Sequence, residues 1–172
     1  MSTSSGRPRA RKARRPAVPV TLLNDQGALP IDRRRIRRLV RSTLRGEGRA
    51  DAAVTLLVTG DRRIADLCTR FLGRARRTDV LAFPDPEGGA LGEVVVNAER
   101  AVREARRRRI DPTAELCLYV VHGLLHLAGY DDQTPADARR MHAREATVLR
   151  RFGYASVYDA PVRRAARSTG VI

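Results

Sequence analysis

An α/β (α+β) fold with one mixed sheet of about four strands and about five helices is the class this sequence predicts, on three observations. Four short, largely apolar runs, at 18–23, 53–59, 78–84 and 91–96, have strand length and are bounded or ended by Gly, Pro, Asn or Asp. Between and after them lie segments whose apolar residues recur at helical spacing. One of these segments opens after Asp111-Pro112, is apolar along its whole length and carries two histidines.

In chain order, residues 1–17 read as a disordered basic arm. The first sixteen carry six positive charges, no acidic residue and almost nothing apolar, too little to offset the entropy of ordering. A single domain then spans 18–153, without internal repeats. Val18–Leu23 is the first strand. Asp32 caps a helix in which Ile36, Leu39, Val40 and Leu44 form a core face and arginines occupy the rest. Ala53–Thr59 is the second strand, and Gly60-Asp61 starts a helix with apolar positions Ile64, Leu67, Cys68, Phe71 and Leu72. Thr78–Pro84 and Leu91–Val96 form a hairpin around a Pro-Glu-Gly-Gly turn. Asn97 caps a helix from Ala98 to Arg109, whose closing arginines suit the helix macrodipole. Thr134-Pro135 starts a last helix with Ala138, Met141, Val148, Leu149 and Phe152 on one side, stopped by Gly153. The tail 154–172 has no period and reads as extended or disordered.

Composition narrows the function classes. The chain is 42% hydrophobic but only 4% aromatic, so aliphatic side chains fill the core. Net charge is +15, carried almost wholly by arginine, which favours an anionic polymer as partner; an arginine bias also follows from GC-rich coding, so charge alone does not name RNA. Cys68 and Cys117 are too far apart for a CxxC site and read as buried thiols of a reducing compartment. Neither a membrane span nor a signal-peptide apolar stretch is present, which makes the cytoplasm the expected location.

The chemistry concentrates in Glu115–Asp132. His122 and His126, four apart on one helix, face the same way. Gly129 favours the left-handed turn that folds the chain back, bringing Asp132 toward the imidazoles as a third ligand. His-x3-His-x2-Gly-x2-Asp has the spacing of a three-ligand catalytic zinc site and matches the metzincin pattern in spacing. Directly after the first His, where a zinc peptidase carries its general-base Glu, stands Gly123. His142 is a possible competing ligand, placed sideways by its position next to Met141.

The segment VVHGLLHLAGYDD, with TDVLAFP at 78–84 and LGEVVVN at 91–97, resembles the YbeY family of metal-dependent endoribonucleases, the ribosomal-RNA maturation factors. The likeness covers roughly 18–153, and Met141 and Glu145 fall where the family's following helix carries Met and Glu. Two features depart. The family's motif ends in a third His where this chain has Asp132, and its Asn, Arg and Asp-x-Pro before the TDVLSF segment match Cys68, Leu72, Ala75 and Arg77 here. With Leu72 at the family's Arg position, Arg70, Arg74, Arg76 and Arg77 become candidates for RNA contact. Of these Arg74, in the loop, is the candidate catalytic cation. Asp79 is either a strand-end cap or a catalytic carboxylate.

The resemblance implies a single-strand-specific endoribonuclease with one Zn2+ per chain, hydrolysing RNA phosphodiesters with a zinc-activated water. It implies a role in ribosomal-RNA maturation, including 16S 3′-end processing, and in ribosome quality control, with ribosomal RNA and the small ribosomal subunit as partners. A ribosome-assembly or RNA-binding factor with little nuclease activity is the alternative. A hydrolase acting on peptides or small phosphoesters is the third reading, and the missing Glu counts against its peptide version.

Overall fold

The computed structural model of the chain describes residues 19–73, 78–154 and 170–171. The basic arm and most of the tail lie outside them. The elements are β1 (Val20–Asn24), α1 (Arg33–Gly46), β2 (Val54–Thr59), α2 (Asp61–Leu72), β3 (Val80–Pro84), β4 (Gly92–Asn97), α3 (Ala98–Arg108), α4 (Pro112–Leu127), α5 (Pro135–Arg151) and β5 (Gly170–Val171). Helix starts follow local capping chemistry. Asp32, Asn97, Asp111 and Thr134 each accept hydrogen bonds from backbone amides of the first turn that follows, and Pro112 and Pro135 occupy first-turn positions.

The sheet is mixed, in the order β1-β2-β4-β3-β5. β1, β2 and β4 are parallel, β3 runs antiparallel to β4, and β5 pairs with β3 in parallel. β5 adds a strand to the four expected, so Gly170–Val171 of the tail is paired. Strand alternation sorts the side chains between two layers. Val80, Ala82, Val94 and Val96 face the main core with α1, α3, α4 and α5, whereas Leu81 and Val95 face a smaller cluster with Ile64 and Cys68 of α2.

α4 is the centre of the larger layer. Every residue from Ala114 to Leu127 is buried, which accounts for its apolar sequence. Gly123 is what lets it approach the sheet. A Cβ there would lie 2.5 Å from Val94 Cγ1 and 2.8 Å from Val80 Cγ2. The position that carries a peptidase's Glu is thus filled by strand side chains.

Three local expectations change. α3 ends at Arg108 because Arg109 takes a left-handed conformation (φ 56°) and closes the helix through its amide. Arg108 pairs with Glu115 at the start of α4, so part of the arginine run has a structural partner beyond the macrodipole. Phe71 is 51% exposed instead of buried, its ring packed edge-on against Phe83 with centroids 5.1 Å apart.

Candidate metal centre

The i, i+4 spacing on α4 sets the two imidazoles edge to face, with ring centroids 4.6 Å apart and Nε2 atoms 3.1 Å apart. Each Nδ1 is engaged elsewhere. His122 Nδ1 is 2.6 Å from Glu145 Oε1, and His126 Nδ1 is 3.0 Å from the carbonyl oxygen of Tyr130. A carboxylate and a carbonyl accept, so each Nδ1 carries the proton and donates it. Both Nε2 lone pairs then converge on one point. Two acceptors at that separation repel each other unless a cation lies between them.

Asp132 closes the group, with Oδ2 3.8 Å from His122 Nε2 and Oδ1 3.9 Å from His126 Nε2. Donor atoms of His122, His126 and Asp132 all lie within 4.8 Å of one another, as a shared metal ion requires. Zinc bonds of about 2.0–2.1 Å in a tetrahedron separate neighbouring ligand atoms by about 3.3 Å. The imidazoles already meet this spacing, and a small rotation of the Asp132 side chain brings in the carboxylate. Burial, and next the neighbouring His122, hold the His126 imidazole below its ordinary pKa of 6.5, which favours the neutral, ligating form.

The turn after α4 delivers Asp132. Gly129 has φ +99°, its amide donates to His126 O, and the Tyr130 amide donates to Leu125 O, a Schellman closure that reverses the chain. A second set of contacts pins this turn. The Tyr130 hydroxyl donates to Glu47 Oε2 at 3.1 Å, and Glu47 Oε1 accepts from Arg144 Nε at 2.5 Å. Glu47, at the end of α1, therefore ties α5 to the residue whose carbonyl orients His126.

Of the residues expected at the site, His122, His126 and Asp132 come together. Arg74, Arg76 and Arg77 lie outside the described residues. Arg70 is exposed on α2, across the sheet from the histidines, with its guanidinium 5.6 Å from the Phe71 ring centroid. Asp79 is buried, and its Oδ1 accepts from the Thr78 hydroxyl at 3.1 Å and the Val80 amide at 3.2 Å, as a cap at the start of β3 does. Leu72 is half-buried against the α2 cluster and brings no cation. His142 is half-buried and outside the metal group.

Sequence reasoning left Glu145 without a chemical role, although a signal exists. It is a carboxylate on the buried stripe of α5, four residues after Met141, and it is 0% exposed. A buried carboxylate needs a partner, and a ligand imidazole is one. Glu47 offers no such signal, because its partners Tyr130 and Arg144 are 83 and 97 residues away.

Comparison with known proteins places the chain in a family. The sequence profile of the family described as Endoribonuclease YbeY matches residues 21–153. The chain belongs to the YbeY family. An Endoribonuclease YbeY from Anaeromyxobacter sp. (strain Fw109-5) is 47% identical over 124 residues, 70% of this chain and 65% of the relative. The YbeY of Geobacter sulfurreducens is 35% identical over 139 residues, 76% of this chain and 93% of the relative. The chain spans just under two thirds of the length of the Anaeromyxobacter relatives it matches, 65% and 64%. The fold is shared with TM1509 from Thermotoga maritima, known from a solution structure, at TM-score 0.57 and 24% identity over 84% of this chain and 99% of that one. Among the described residues, no helix of this YbeY family member is long and apolar enough to cross a membrane.

Proposed function

We propose that this chain is a zinc-dependent endoribonuclease that hydrolyses phosphodiester bonds in single-stranded RNA. The observation that carries this reading is the pair of Nε2 atoms 3.1 Å apart, each fixed as an acceptor by its own Nδ1 partner and faced by Asp132, in a member of the YbeY family. His122, His126 and Asp132 would hold the metal. When bound there, zinc supplies an acidified water and neutralises charge developing on the phosphate oxygens.

Each protein group then has a task. Glu145 holds His122 in the tautomer that presents Nε2. The Tyr130 carbonyl does the same for His126. Gly123 places no carboxylate after the first histidine, so the base of peptidase chemistry is not supplied from α4. Charge on the scissile phosphate falls to Arg74, with Arg76 and Arg77 on the flanking RNA, whereas Arg70, across the sheet from the histidines, is not assigned there. Asp79, committed to Thr78 and Val80, is assigned to holding β3. In the cell we place the activity in the cytoplasm, on ribosomal RNA and the small ribosomal subunit, in 16S 3′-end maturation and quality control. The basic arm 1–17 adds nonspecific affinity through counterion release.

The half-buried Leu72, which supplies no cation, favours a second reading: a ribosome-assembly or RNA-binding factor with little nuclease activity. Elemental analysis of protein purified without chelator, paired with cleavage of a single-stranded RNA, separates the two. The nuclease reading expects about one zinc per chain in the wild type, with metal and cleavage both lost in His126→Ala and strongly reduced in Asp132→Ala. Zinc without cleavage selects the assembly factor. A wild type that takes up no metal defeats the proposal.

A further inference from the structure

α1 carries charge in an arrangement that does not serve the helix. Its sequence from Arg33 to Gly46 contains seven arginines and no carboxylate. Arg33, Arg34 and Arg35 occupy the first turn, where the macrodipole disfavours cations. Arg34, Arg38, Arg41 and Arg45 follow at three- and four-residue intervals, so like charges stack along one row and repel. Among the described residues, no carboxylate forms an ion pair with Arg34, Arg37, Arg38 or Arg45. Arg33 and Arg35 do find internal acceptors in the carbonyl oxygens of Leu22 and Phe152, and Arg38 lies over the Phe152 ring. It is the placement of Arg34, Arg37 and Arg45 against these local rules that points to an external partner.

The row borders a groove. Arg34, Arg37, Arg38, Arg41 and Arg45 of α1 and Arg151 at the end of α5 line a trough of about 1050 Å³. α1 is about 21 Å long at 1.5 Å per residue, enough for about six phosphates spaced as in a stacked strand. The groove also has a direction. It ends at Arg45 and Gly46, and the next residue, Glu47, holds the Tyr130 hydroxyl and so the turn that carries Asp132. A strand lying in the groove is led toward the metal centre.

We propose that this α1 groove is a second RNA-binding site, which grips the phosphate backbone of the substrate beyond the point of cleavage. The inference rests on the endoribonuclease reading for its ligand class. Arginine suits the task because its planar fork takes two phosphate oxygens at once. These are backbone contacts, so the groove sets affinity and the path of the strand without reading sequence.

The test is fluorescence anisotropy with a labelled, cleavage-resistant 2′-O-methyl oligouridylate, titrated with the full chain over a range of salt. The groove variant is Arg34→Gln, Arg38→Gln and Arg45→Gln together. The control, Arg62→Gln, Arg63→Gln and Arg106→Gln, removes the same charge from exposed positions on α2 and α3. All six side chains are exposed, and thermal melts check that both variants stay folded. The groove variant is expected to flatten the slope of log affinity against log salt by about 2 and to weaken binding on the order of 100-fold at 0.1 M salt, with the control near wild type. Equal losses in both variants reduce the effect to net charge and overturn the proposal, as does a groove variant that binds like wild type. A wild type that does not bind the oligonucleotide overturns the groove and the endoribonuclease reading together; binding without a groove effect overturns the groove alone.

Discussion

Gly123→Ala sets two opposing effects against each other, and the structure decides which wins. Alanine in place of a mid-helix glycine favours the helix by about 1 kcal/mol. Against that, the new Cβ would lie 2.5 Å from Val94 Cγ1 and 2.8 Å from Val80 Cγ2, where carbon atoms rest at about 3.5–4.0 Å. Both valines are 0% exposed, sit on adjacent strands in the middle of the sheet and have stiff β-branched side chains, so they cannot turn away. The helix must back off by about 1 Å, and overpacking of this kind costs about 1–3 kcal/mol. With two contacts this short the upper end applies, leaving a net loss of about 2 kcal/mol, or about 4–8 °C in Tm for a domain of this size. Because His122 is the preceding residue, the shift also displaces its ring relative to Glu145 and His126, and a displacement of about 1 Å in a ligand is enough to lower activity by about 100-fold. Calorimetry of the metal-free protein, followed by zinc content and RNA cleavage, reads all three effects. A Tm equal to or above wild type would show that helix propensity outweighs the contact with the sheet, and the account of why glycine stands there would fail.

Three other outcomes follow from the same geometry. Glu145→Gln, which keeps the shape but removes the charge facing His122 Nδ1, is expected to weaken zinc binding by about 10–100-fold in a chelator competition, and unchanged affinity would remove Glu145 from the site. In metal-free protein, burial holds His126 below its ordinary value of 6.5, so the unfolded chain takes up this proton first as pH falls. Stability is therefore lost on acidification through 6.5 and is flat in this respect above it; Tm measured in chelator from pH 8 to pH 5 checks the sign. Cys68 and Cys117 are both buried, and burial pushes the Cys117 thiol up to about 12. A thiol reagent at pH 8 should label neither cysteine until denaturant is added, and rapid native labelling would contradict the packing.

What could be read from the sequence was the chemistry of nearest neighbours. The helix starts at Asp32, Asn97, Asp111 and Thr134 were legible because a cap is a contact between a side chain and the backbone two or three residues on. His122, His126 and Asp132 were legible for a related reason: a helical repeat and one glycine turn place all three within eleven residues. The insertion of β4 between β2 and β3 was not, because parallel pairing joins segments far apart in the chain and leaves no local mark. Phe71 was expected inside from its helical position alone, but α2 covers only a small cluster on its side of the sheet and the ring falls at the edge. The contacts of Glu47 belong with β4, since they depend on where α1 ends relative to α5.

The division of labour between helix and loop follows from burial. α4 is enclosed on all sides, so His122 and His126 have little freedom, and their Nδ1 partners come from α5 and from the turn that closes α4. Such a frame fixes the relative position of the two imidazoles, as a shared metal ion would require. Asp132, 19% exposed on its side chain, stands outside the enclosed helix on a turn fixed by Gly129 and by Glu47 through Tyr130. A carboxylate suits that place, since from a fixed turn a rotation of its short side chain brings either oxygen toward the histidines, whereas a longer imidazole presents only one ring nitrogen at a time. Replacing Asp132 with histidine would restore the family's third imidazole and add length on a turn already anchored at Tyr130. We therefore expect Asp132→His to bind zinc no more tightly than wild type by chelator competition unless Glu47→Ala also frees the turn. Tighter binding by the single variant would mean that the turn is not anchored as these contacts imply.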